Sequence, residues 1–188
     1  MINKNTLFSI ALVFSIFFVS CSDNKKFQIS KGNVGLITMK TTVADLSEIF
    51  EKDSIVKNLS EGSQGNNYFQ DNDEYLIYEK GGKHLLTLVP KEQLDSTSTM
   101  KNIEIFDNRF KTESGISLES TFAEIRANNK IDKIESSFTS ATLFIDELNA
   151  TIVIDNEEMG LKDFSNQKVV EEQIPDLAKM KSFVVWFN

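Results

Sequence analysis

Hydrophobic and polar positions follow three different rhythms along this chain. Leu7 to Val19, LFSIALVFSIFFV, is almost wholly apolar and stops at Ser20-Cys21. As a helix it would be about 20 Å long at ~1.5 Å per residue, short of the ~30 Å hydrocarbon core of a bilayer. Farther on, short apolar runs are separated by turn residues. Tyr75-Leu76-Ile77-Tyr78-Glu79 and Leu85-Leu86-Thr87-Leu88-Val89 flank Lys80-Gly81-Gly82-Lys83, the pattern of a β-hairpin. Thr142-Leu143-Phe144-Ile145-Asp146 and Thr151-Ile152-Val153-Ile154-Asp155 flank Glu147-Leu148-Asn149-Ala150 in the same way. Met100 to Phe106 and Ser182 to Phe187 read as single strands. The second of these is apolar on both faces, which predicts a central strand covered on both sides. That places Trp186 in the core.

The third rhythm is helical. TMKTTVADL, from Thr38 to Leu46, and SLESTFAEI, from Ser117 to Ile125, lie 79 residues apart and largely keep their chemical character position by position. In each, a threonine (Thr42, Thr121) precedes by three residues a carboxylate (Asp45, Glu124). This is the capping-box spacing, in which the hydroxyl and the acid each take an amide that the first helical turn leaves free. Apolar residues follow at helical spacing: Val43, Leu46, Ile49 and Phe50, then Phe122 and Ile125.

Capped helix, hairpin and final strand occur in the same order twice, and Met100-Lys101 precedes Met180-Lys181 by eighty residues. The expected fold class is therefore α+β, with two similar strand–helix–hairpin–strand repeats packed as one pseudo-two-fold domain. Repeat 1 spans about 31–107 and repeat 2 about 112–188. Each alone would have a thin core, so 31–188 is expected to fold as a unit. The polar insert Ser60 to Asn67 and the acidic passage Asn156 to Asp176 are expected as loops.

Composition narrows the function. Without residues 1–20 the chain keeps 19 basic and 28 acidic side chains, a net charge of −9. A pI near 4.8 argues against nucleic acid, whose phosphates need clustered Lys and Arg. With one His and one Cys, the common transition-metal ligand sets cannot be assembled, and no cofactor is expected. A Ser-His-Asp triad would have to use His84, which shows no partner in the sequence.

The N-terminus carries the clearest signal. Lys4 followed by a short apolar run is the pattern of a secretory signal peptide. Its end, Phe18-Val19-Ser20-Cys21, resembles the lipobox of bacterial lipoproteins. The resemblance implies diacylglycerol on the thiol, cleavage before Cys21 and acylation of the new N-terminus. Residues 1–20 are then the signal peptide and 21–30 a lipidated tether. Ser22-Asp23 after the cysteine is similar to the surface-export signal of Bacteroidetes lipoproteins. Asp53-Ser54-Ile55 and Asp95-Ser96-Thr97 resemble the short O-glycosylation signal of that group and mark Ser54 and Ser96. The repeat pattern resembles envelope lipoproteins of the SmpA/OmlA type, which act by binding other proteins.

Other candidates carry less. Asp71-Asn72-Asp73-Glu74 alternates carboxylates as calcium loops do, but lacks glycine at the sixth position and glutamate at the twelfth. Asp155-Asn156-Glu157-Glu158 reads as an acidic turn. Asn58-Leu59-Ser60 and Asn149-Ala150-Thr151 are glycosylation sequons only in a eukaryotic secretory route. The expected function is a non-catalytic lipoprotein of the cell envelope, at the periplasmic or surface face of the outer membrane. It would contact the membrane through acylated Cys21 and bind a protein or envelope component. The alternatives are a small-molecule or glycan binder, or a hydrolase with two carboxylates.

Overall fold

The computed structural model describes residues 23–60, 72–161 and 168–188. Among these residues, twelve strands form two sheets. The small sheet has the order β3-β2-β1-β8: Ile37–Thr38, Asn33–Val34, Gln28–Ser30 and Lys111–Thr112. The large sheet has the order β4-β5-β6-β7-β12-β11-β10-β9. Its first half is β4 (Ser54–Asn58), β5 (Glu74–Tyr78), β6 (His84–Pro90) and β7 (Met100–Ile105). Its second half is β9 (Lys133–Ser136), β10 (Ser140–Ile145), β11 (Ala150–Asp155) and β12 (Ser182–Trp186). All its pairings are antiparallel, and β7 and β12 join the halves through Val184↔Glu104, Val185↔Ile103 and Trp186↔Asn102.

The molecule is therefore β-rich, and the α+β expectation with strand–helix–hairpin–strand repeats is overturned. The two helices that lead into the large sheet are small: α1 is one turn, Leu46–Ile49, and α2 two turns, Phe122–Asn128. A helical turn at Asp23–Lys26 and a 3-10 turn at Glu171–Gln173 are the remaining helical pieces among the described residues. Two strands that the pattern does not reveal, β4 and β9, follow α1 and α2 and form the outer edges. Each half of the large sheet is thus a four-stranded unit with an edge strand that the repeat pattern omits. SIVKN and KIES are too short and too polar to show a period of two, because an edge strand buries little of either face. What is written locally for helix start is nonetheless there. Thr121 accepts from the Glu124 amide while Glu124 accepts from the Thr121 amide, a complete capping box. At Thr42 only the acid's half forms: Asp45 takes both the amide and the hydroxyl of Thr42.

The helices enter the sheet through equivalent bonds. Val43 and Ala44 donate amides to Ser98 O and Ser96 O at 3.0 and 2.8 Å. Phe122 and Ala123 donate to Ala178 O and Asp176 O at 2.9 and 3.0 Å. The bridges Thr42↔Thr99 and Thr121↔Lys179 lie beside them.

The core lies on one face of the large sheet. Ile77, Leu86, Leu88, Ile103, Val185, Phe183, Ile152 and Leu143 are fully or almost fully buried there. Leu46 and Phe50 from the α1 region, Phe122 and Ile125 from α2, and Ile29, Val34 and Ile37 from the small sheet join them in one cluster. Each large apolar side chain moved from water into such a cluster contributes about 1.5–3 kcal/mol. Strand β1 and the partly buried Phe27 lie inside the 21–30 span read as tether, so the chain enters the folded body by Phe27.

Strand β12 is central, but among the described residues it is covered on one face only. Phe183 and Val185 are buried, whereas Ser182, Val184 and Trp186 alternate with them and are half-buried. Trp186 is thus not a core residue.

Candidate functional site

Strand register defines the second face of the large sheet. Val56, Leu76, Thr87, Glu104, Val184, Thr151, Phe144 and Lys133 are successive partners across all eight strands. Side chains alternate between faces along a strand, so this whole row lies opposite the core. Leu76, Glu104, Val184 and Phe144 are half-buried, and Val56 is 46% exposed. Neighbours in the row shield one another, and the α1 and α2 helices both pack into the core on the other side. Four of the eight, Val56, Leu76, Val184 and Phe144, are apolar, and Thr87, Glu104, Thr151 and Lys133 stand between and beside them. Along one side Val89 pairs with Asn102, and Asn102 with Trp186. The Trp186 indole N–H donates to Thr151 Oγ1 at 3.1 Å, and Ser182 Oγ donates to Glu104 Oε1 at 2.7 Å. These bonds hold the polar members of the face in place.

At the other side the same face carries a stack of rings. His84 lies 4.7 Å from the ring of Tyr78 and 4.0 Å from that of Phe106, nearly parallel to both. Its Nε2 is 3.1 Å from Leu86 O and from Thr87 Oγ1. A carbonyl can only accept, so this geometry assigns the proton to Nε2. Burial between the rings pushes the imidazole pKa down, and the bond to Leu86 O and the charge of Glu104 push back only in part. His84 is a neutral wedge in an aromatic stack, with Thr87 Oγ1 and Leu86 O at its Nε2.

Next to this stack is a group of ion pairs. Asp107 has a fully buried side chain. It accepts from the Arg109 backbone N–H and Nε, from Arg109 Nη2 at 2.6 Å, and pairs with Lys83 Nζ at 3.0 Å. Arg109 also grips Glu79 with two bonds of 2.9 Å. Burial raises the Asp107 pKa, but the Arg109 and Lys83 bonds outweigh it and pull the value to about 2. The same guanidinium lies 4.5 Å over the Phe27 ring, which meets Phe110 edge-on at 5.0 Å. This group fastens the entry of the chain to the β5–β6 hairpin.

A cleft of about 260 Å³ opens beside that entry point. Val34, the half-exposed Leu36, Ile49, Phe50, Leu86 and Phe110 are among its apolar lining, and Lys26, Glu48, Glu51, Lys52 and Asp53 are its charged lining.

The residues singled out from sequence fall in scattered places. The signal-peptide stretch 1–20, Cys21, most of the polar insert after Ser60, and Asp71 lie outside the described residues. Ser54, at the start of β4, and Ser96, in the loop before β7, are both exposed and far apart in the topology. Asp73 is buried, and its oxygens are taken up by protein donors. It accepts the amide and hydroxyl of Ser60 at 2.8 and 2.9 Å and the Leu94 amide at 2.6 Å. Burial alone would raise its pKa, and these three donors lower it instead. Asp155 pairs with Lys181 at 3.0 Å, and Glu158 accepts the Lys179 amide at 2.8 Å. The Asn149 amide side chain donates to Trp186 O. Among the described residues no group of three His, Cys, Asp or Glu side chains is placed to hold a metal ion, and no helix is long and apolar enough to cross a membrane. The open face itself is not apparent in the sequence. It needs the strand register, and the local hint is the alternation of Leu76 and Tyr78 with buried residues.

No protein-family model matches the chain, and no curated protein matches its sequence. The fold is similar to the crystal structure of the uncharacterized protein yfeY from Escherichia coli. The TM-score is 0.52 and the identity 10%, over 85% of this chain and 99% of that one. At that identity the similarity concerns the fold alone.

Proposed function

We propose that this chain is a non-catalytic lipoprotein of the cell envelope, anchored through acylated Cys21, which holds a protein partner on the open face of its large sheet. The observation that carries the reading is the row from Val56 to Lys133. Val56, Leu76, Val184 and Phe144 place four apolar side chains on one sheet face, Val56 46% exposed and the others half-buried, and apolar groups gathered on one face mark interaction sites. The charges that share the face are mainly acidic: Glu74, Glu104 and Glu135 against Lys133. A matching partner has an apolar centre and basic groups around it, which also suits the net charge of the mature chain. The lipobox-like segment supports the anchor, and the folded body begins only a few residues after Cys21.

The test uses photo-reactive amino acids incorporated in the full-length protein in living cells. Probes at Leu76 and Val184 are expected to capture the same partner, and a probe at Glu113, in the β8 loop, is expected to capture none. Leu76→Lys combined with Val184→Lys should lower capture at least tenfold without changing the far-ultraviolet circular dichroism. Equal capture from all three positions, or capture that the double variant leaves intact, overturns the assignment of the face. Cys21→Ser should release the protein from the membrane fraction. If it stays there, the anchor reading fails independently.

A further inference from the structure

We propose that the cleft beside Lys26 holds one acyl chain of the lipid carried by Cys21. The inference rests on the reading that Cys21 is acylated and says what that lipid does besides insert into the bilayer. Three observations support it. The first is position: Lys26 lines the cleft and follows Cys21 by five residues. Five residues reach at most about 17 Å when extended, so an acyl group on Cys21 begins within its own length of the opening. The second is chemistry. The apolar part of the lining is Val34, Ile49, Phe50, Leu85, Leu86 and Phe110, with Leu36 50% exposed, and the charged Lys26, Glu48, Glu51, Lys52 and Asp53 also line the cleft. Burying methylenes against such a wall is favourable for the same reason that burying them in a bilayer is. The third is shape. The cleft measures about 260 Å³, room for the terminal methylenes of one aliphatic chain. Drug-sized ligands usually occupy about 300–1,000 Å³, so the space suits one aliphatic chain better than a bulky ligand.

Close packing keeps the cleft at this point of the chain. A Cβ on Gly35 would lie 2.5 Å from Lys26 O and 3.2 Å from the Phe110 ring, so no side chain can be accommodated between the chain entry and the cleft wall. The Arg109–Phe27–Phe110 contacts hold the same entry segment. A chain seated there would fix how the domain stands relative to the membrane instead of leaving it free on a tether.

The experiment feeds cells a fatty acid with a diazirine near its methyl end, so that the lipid on Cys21 carries the photo-reactive group. After irradiation the full-length protein is purified and its adducts are mapped by mass spectrometry. Adducts on Leu36, Ile49 and Phe50 are expected at least tenfold above those on Leu76 of the open face. Leu36→Glu, at a half-exposed position that the fold tolerates, should lower the cleft adducts at least fivefold while the lipid mass on Cys21 is unchanged. Ile49→Trp, which fills the cleft, should do the same. Acylated Cys21 without adducts in the cleft overturns the proposal and leaves the anchor reading standing. Cleft adducts that persist undiminished in Cys21→Ser overturn it too, because the occupant is then a bilayer lipid. Absence of any lipid mass on Cys21 removes the anchor reading and this proposal together.

Discussion

Asp107 is the residue whose replacement tests the electrostatic account most directly. Its carboxylate is fully buried and is held by hydrogen bonds and ion pairs from Arg109 and Lys83. Its pKa falls from the ordinary 3.8 to about 2. At about 1.36 kcal/mol per pH unit this corresponds to ~2.5 kcal/mol in favour of the folded state when the group is charged. The sign follows from proton binding. The unfolded chain binds the proton more readily, so the contribution is complete above the unfolded pKa of about 4 and disappears as pH falls toward 2. Asp107→Asn keeps the shape and an acceptor for the Arg109 amide but removes the charge. Removing one partner of a buried ion pair costs about 3–5 kcal/mol. Arg109 is 38% exposed and keeps Glu79, so a smaller loss, about 2–3 kcal/mol, applies. Urea unfolding at pH 7 followed by tryptophan fluorescence should show this loss as a lower midpoint with the same slope. Repeated at pH 2.5, where the wild-type carboxylate is partly protonated, the gap between the two proteins should shrink by more than half. A gap of equal size at both pH values would mean that the Asp107→Asn variant loses stability through packing, and the charge argument would be wrong.

Three further outcomes follow from the geometry. Gly35 has φ +59° and a Cβ would meet backbone, so Gly35→Ala should cost at least about 2 kcal/mol and lower Tm by ~5 °C or more, whereas Gly82→Ala, at φ +91° with nothing within 4 Å, should cost about 1 kcal/mol; calorimetry of both proteins compares them. His84 is held neutral, so stability should rise as pH increases through the region below about 6.5, and His84→Phe should flatten that slope in urea titrations between about pH 5 and 7.5. Asp73→Ala leaves the Ser60 and Leu94 amides without their acceptor and should cost about 1–3 kcal/mol, with faster hydrogen exchange at both amides and no response to added calcium in either protein.

Features governed by neighbours in the chain are legible in the residues alone. The capping box at Thr121 and Glu124, the hairpin turns at Lys80–Lys83 and Glu147–Asn149, and the strands β5, β6, β7, β10, β11 and β12 stand where the pattern puts them. Turns and caps depend on contacts a few residues apart, and each of these strands shows its own apolar run. The acidic balance and the apolar run before Cys21 are likewise properties of the sequence itself. Fold class and site needed the tertiary structure. Edge strands β4 and β9 gain their identity from pairing with Glu74–Tyr78 and Ala141–Phe144, not from any period of their own, and they turn an apparent α+β pattern into an eight-stranded sheet. Val184 and Trp186 look like core residues next to Phe183 and Val185. Only the sheet decides that one pair faces the packed side and the other the open side. Asp107 and Arg109 read as part of a linker, and only folding brings Glu79 and Lys83 to them. The physical reason is the same in each case: a hydrogen bond to a near neighbour is specified by spacing, while burial depends on what arrives from far along the chain, as Glu79 reaches Arg109 from 30 residues away.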